Sequence, residues 1–142
     1  MMMKQSILSL TVLLLLAGCQ SSGDKTEAEK IEQEVLAIHD EVMPRVEDIM
    51  QLKSQLNDRL DSLQKADKSA SGAEIVRLKV ALTEADSLMS TWMFQYNPDT
   101  LKVLEPAGAK EYLIDQKAKV EVVKEKMNSS IAEARQFLQK QP

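Results

Sequence analysis

Reading from Thr26, apolar residues fall at Ile31, Val35, Ile38, Val42, Val46, Ile49, Leu52, Leu56, Leu60 and Leu63, separated by threes and fours. That spacing lays them along one stripe of a helix, while acids and bases fill the other faces. A capping box, Asp24 with Glu27 or Thr26 with Glu29, suits the start of this helix, which is expected over about 26–68. The segment KSASG breaks the pattern, and Ser71 with Glu74 opens a second helix over about 72–96. Its stripe is Ile75, Leu78, Leu82, Ala85, Met89, Trp92 and Tyr96, and Asn97-Pro98-Asp99 ends it, because a proline disfavours helical geometry in the residue before it. The connection NPDTLKVLEP leads to a third helix over about 107–140. Ala109, Leu113, Val120, Val123, Met127, Ala134 and Phe137 form its apolar face, with Gln116 as a polar member.

None of these helices can hide its apolar face alone, so the expected fold is all-α, an antiparallel three-helix bundle over 26–142. The competing arrangement is an extended oligomeric coiled coil; KSASG has the length of a reversal between antiparallel neighbours. Pro44 sits inside the first stripe. Its ring clashes with the carbonyl of Asp40 and removes one backbone hydrogen bond, so the long first helix is expected to kink near Pro44. The stripe passes from Val42 to Val46 without losing phase, which favours one bent helix over two.

Composition agrees with a helical chain: 4% aromatic residues, four glycines and four prolines leave little for strands and turns. The first eighteen residues stand apart. Lys4 supplies a positive start, ILSLTVLLLL is apolar but short for a bilayer span, and Ala17 and Gly18 precede Cys19 as at a cleavage site. LAGC resembles the lipobox of bacterial lipoproteins. The resemblance implies cleavage of residues 1–18, a diacylglycerol on the Cys19 thiol and acylation of the new amino terminus. Cys19 is the single cysteine, and lipidation accounts for an unpaired thiol in an exported chain. Burying each acyl methylene contributes ~0.8 kcal/mol, so several chains make a stable membrane anchor. Residues 19–25 then read as a lipidated end and a short flexible tether. In lipoprotein sorting terms Gln20 is not the aspartate associated with inner-membrane retention, which points to the outer membrane of a bacterial envelope.

Without residues 1–18, which carry Lys4 and no acid, 17 Lys and Arg stand against 22 Asp and Glu, a formal charge of −5. A chain of that sign has no electrostatic reason to seek nucleic acid or anionic headgroups. No small-molecule substrate is evident, and catalysis is not expected: there is no second cysteine or histidine and no glycine-rich phosphate loop.

One stretch, HDEVMP at 39–44, holds the only histidine. His39 and Met43 are four apart and can share a helix face, and folding the stripes back on one another brings Met50, Met89 and Met93 toward the same region. Imidazole and thioether ligands suit Cu(I); Asp40 and Glu41 with His39 suit Zn(II). The plainer alternative has the methionines filling core gaps. His39 then bonds a backbone carbonyl, such as one that Pro44 releases, and Trp92 anchors the bundle with its indole N–H at the rim. Trp92, Phe94, Tyr96 and Tyr112 gather at the same end, beyond which the first helix is expected to project as a stalk.

HDEVMP and ADSLMSTWMFQY resemble the paired signatures of a family of small bacterial envelope lipoproteins, some of which carry the label "viral A-type inclusion protein". The resemblance spans the lipobox and the first two helices; a histidine can follow the Trp-Met pair in that family, and this chain has Phe94 there. With catalysis set aside, what remains is a membrane-anchored, non-catalytic helical module that binds another envelope protein. The alternative is a copper- or zinc-binding lipoprotein.

Overall fold

The computed structural model describes residues 20–65 and 72–140, all in helices or the short links between them. The segment 1–18 that is expected to be a signal peptide, Cys19 and most of the expected KSASG reversal lie outside the described residues. The elements are α1 (Gln20–Val42), α2 (Arg45–Lys65), α3 (Gly72–Gln95), a single turn α4 (Thr100–Val103) and α5 (Pro106–Lys140). The all-α class holds, with no strand among the described residues. No helix among them is long and apolar enough to cross a membrane.

Two boundaries differ from expectation. The helix starts at Gln20, so 20–25 is helical where a flexible tether is expected, and the two capping boxes lie inside α1. The early turns have partners that the local sequence does not reveal: Ala28 is buried and Lys110 of α5 reaches Glu27 at 2.7 Å and Asp24 at 4.0 Å. The run expected over 26–68 is divided at Met43–Pro44. The Met43 N–H donates to His39 O at 2.9 Å and closes α1. Pro44 has no N–H to offer Asp40. The chain then turns through tighter three-residue bonds, Val46 N–H to Met43 O at 3.1 Å and Glu47 N–H to Pro44 O at 3.3 Å, before α2 resumes.

Packing ignores this interruption. Ala28, Val35, Val42, Ile49, Leu56 and Leu63 are all buried and recur every seventh residue across Pro44. On α5 the buried positions Ala109, Leu113, Gln116, Val120, Val123, Met127, Ser130 and Ala134 alternate by fours and threes, as do Ile75, Leu78, Leu82, Ala85, Met89 and Trp92 on α3. α5 packs against α1, α2 and α3, and α2 also packs against α3.

A ladder of ion pairs flanks this core. Glu27, Glu34 and Glu41 meet Lys110, Lys117 and Lys124 at 2.7, 2.8 and 2.7 Å, each pair 83 residues apart in sequence. Position 131, where the next rung would fall, holds buried Ile131, and Asp48 pairs instead with Arg135 at 3.0 Å. Across the other side, Arg77 of α3 bridges Glu74 and Glu133 of α5 at 2.8 and 2.9 Å. Because α5 accompanies α1 from Glu27 onward, α1 does not project as a bare stalk.

The Lys117 ammonium, by hydrogen bond and then by charge, holds Glu34 below its ordinary value of 4.5, and Arg77 does the same for Glu74. Conversely Glu34 raises Lys117, and Glu27 raises Lys110, above 10.5. Depressed carboxylates stabilise the fold fully above their unfolded values and lose that effect as pH falls through the folded ones; raised ammonium groups stabilise fully below theirs and lose it as pH climbs. Stability is therefore expected to be flat between about pH 5 and 10 and to decline on both sides. Because these pairs are solvent-exposed, salt should flatten both edges. Urea midpoints across pH with and without added salt check this; an acid edge indifferent to salt would mean that the ladder contributes nothing.

Candidate functional site

Four rings from three helices form a column. Trp92 near the end of α3 and Tyr96, just past it with its N–H still bonded to the Trp92 carbonyl, are four apart and stack with centroids 5.1 Å apart and planes at 19°. His39 of α1 lies 5.7 Å from Trp92 with its plane tilted by 34°, and Tyr112 of α5 lies 6.4 Å from Tyr96 at 22°. The Tyr112 hydroxyl accepts the Asn97 N–H at 3.0 Å and donates to the Asn97 carbonyl at 3.4 Å, which ties the end of α3 to α5.

Trp92 is only 4% exposed, and its indole N–H is buried with no hydrogen-bond partner, so it is not turned to the rim. The Tyr96 hydroxyl is also buried, with the Glu32 carboxylate beside it. Burial, followed by the negative charge of Glu32, pushes its ionisation up to about 12. Tyr96 is thus neutral at any physiological pH. Neither group can be traded for a charge here, and the column is held by ring contact and burial.

The residues singled out in sequence do not all meet. His39 Nδ1 lies 3.0 Å from Asp40 Oδ1, so its partner is a neighbouring carboxylate and not a backbone carbonyl. Met43 packs half-buried on the core, Met89 is within it, and Met50 and Met93 are exposed. Among the described residues no group of three His, Cys, Asp or Glu side chains is gathered around a common point. Glu41 belongs to the ion-pair ladder through Lys124. Pro44 is exposed at the turn, and Phe94, 92% exposed, stands outside the ring column.

Sequence reasoning misses the groove beside the column. Leu88, Trp92 and Gln95 of α3 face Ala118, Val122 and Val123 of α5 across a shallow, mostly apolar depression of about 390 Å³. Leu88 and Val122 are exposed at its walls. Lys119 stands at its edge, engaged with Asp115 at 2.6 Å. The one available signal is that Ile114, Ala118 and Val122 recur every fourth residue, a second apolar stripe on α5 beside the core stripe. Comparison with known proteins finds no matching family model, no matching curated protein and no matching solved structure.

Proposed function

We propose that the chain is a bacterial envelope lipoprotein, held by acyl groups on Cys19 to a membrane, the outer membrane by its Gln20, and that it acts as a non-catalytic helical module that binds another envelope protein. Its architecture on this reading is an antiparallel three-helix bundle in which α1 and α2 form one arm, bent near Pro44. The seven-residue repeat of buried positions across Pro44 supports a single arm. The pairs Glu27–Lys110 through Glu41–Lys124, against Arg77–Glu133 and Asn97–Tyr112, support α1 running with α5 and α3 running against it.

The observation that carries the binding role is the α3/α5 groove. From Leu88 to Gln95 it offers two helical turns, ~10 Å of length, with Trp92 as a rigid aromatic floor. Its occupant on this reading is the apolar face of one amphipathic helix from the partner.

A photo-crosslinking residue at Val122, in membranes carrying the lipidated chain, tests the groove. One discrete protein adduct that disappears on Leu88→Glu, with helical content intact, is the expected result. Adducts equal to those formed from exposed Glu125 would overturn the groove as the binding surface. The anchor has its own test: Cys19→Ala should abolish lipid labelling, and persistent labelling would exclude lipidation at that thiol.

A further inference from the structure

α1 begins at Gln20, the residue after Cys19, so the proposed acylation point is followed directly by helix. The 83-residue separation that relates α1 to α5 sets Glu27 level with Lys110 and, carried back four residues, Gly23 level with Pro106, where α5 begins. The link between α3 and α5 therefore lies at the anchored end, bounded by the Tyr112–Asn97 contact on one side and Pro106 on the other.

That link exposes apolar side chains where a water-facing turn would carry polar ones. Val103 is 82% exposed and Leu104 38%. Leu104 folds back over the first turn of α5, its Cδ2 3.7 Å from where a Cβ on Gly108 would stand. Around them Lys102 pairs with Asp99 at 2.6 Å and exposed Lys25 offsets Glu105, while Asp24 and Glu27 share the single Lys110. This end therefore carries a small excess of negative charge, and the contact rests on its apolar side chains and not on attraction to headgroups.

We infer that α4 is a membrane-contacting element, with Val103 and Leu104 entering the headgroup layer and upper acyl region of the bilayer that holds the anchor. The inference rests on the lipid-anchor reading above. A headgroup layer is ~5–8 Å deep on each side of the bilayer, and one helical turn rises 5.4 Å. A helix acylated just before its first residue, with no tether between, keeps its opening turns and whatever is level with them in or against that layer. The bilayer contact fixes the tilt of the bundle as well as its attachment.

The test uses the full lipidated chain in vesicles of phosphatidylethanolamine and phosphatidylglycerol that contain a spin-labelled lipid. With Cys19 acylated, an environment-sensitive fluorophore can be placed on Val103→Cys or, as reference, on Glu125→Cys some three heptads away along α5. The expected result is a blue shift and loss of emission at 103 and neither at 125. The shift and quenching should vanish when Leu104→Asp accompanies the label, while helical content and vesicle co-sedimentation persist. Emission at 103 equal to that at 125 in co-sedimenting, acylated chain would overturn membrane contact and leave the anchor standing. Chain that is not acylated and does not sediment with vesicles would remove the anchor and this inference with it.

Discussion

Trp92→Ala is expected to lower the unfolding free energy by about 3–5 kcal/mol, the range for deleting a buried large aromatic. Against the ~5–15 kcal/mol that holds a typical domain together, that is a large fraction. Trp92 is where three helices meet: from α3 it lies against His39 of α1, stacks on Tyr96 just past the end of α3 and lines the groove with α5. No single neighbour can collapse into the space that it leaves. The measurement is a urea titration, in which the midpoint should fall with the slope unchanged. Trp92→Phe should cost less than half as much, since it keeps a ring in the column and removes an indole N–H that has no partner. A loss under ~1 kcal/mol for the alanine variant would mean that the column is not part of the core. Equal losses for the two variants would mean that the N–H matters in a way its burial does not explain.

Pro44→Ala is expected to act in the opposite sense, raising stability by about 1–2 kcal/mol. A proline inside a helix costs ~3 kcal/mol or more, part of which the tight turn at Met43–Pro44 has already relieved. Replacing it lets residue 44 donate to the Asp40 carbonyl, and the unbroken seven-residue spacing from Val35 through Val42, Ile49 and Leu56 means that no buried side chain has to move to a new face. A looser unfolded chain opposes the gain by about 0.4–1 kcal/mol. Denaturant midpoints report the net effect, and slowed amide exchange at residues 44–47 reports its location. A destabilised variant would show that the turn itself, and not merely its tolerance, is built into the fold.

The stripes make the helices legible. Each of α2, α3 and α5 buries most of the residues whose three- and four-residue spacing marks them, with Val46, Leu60, Tyr96 and Phe137 only partly buried at the edges, and breaks in helix fall beside the two prolines that the pattern singles out, Pro44 and Pro98. The start of α1 is hidden for a physical reason. Asp24 and Thr26 carry local capping chemistry, whereas the early turns are held by residues more than eighty positions away. The ladder is half legible: acids at 27, 34 and 41 and bases at 110, 117 and 124 share the period of the core, but only the register of α1 on α5 turns two rows of charge into pairs. Phase also separates the methionines. Met89 is on its stripe and buried, whereas Met50 and Met93 each follow a buried residue by one position, ~100° around the helix, and are exposed. The α3/α5 groove is least legible, because it depends on two surfaces that become one depression only after the helices are in contact.

The three rungs that join Glu27, Glu34 and Glu41 to Lys110, Lys117 and Lys124 all have the same separation, so α1 and α5 run side by side in one direction. Tension between the start of α1 and the α5 wall of the groove would load these rungs in shear. Every pair, and the apolar seam beneath, must then give way at once, whereas helices pulled apart from one end would part rung by rung. The same contacts that are individually weak in still water thus act in parallel under force, and the direction of greatest mechanical resistance is along the axis from the amino-terminal end of α1.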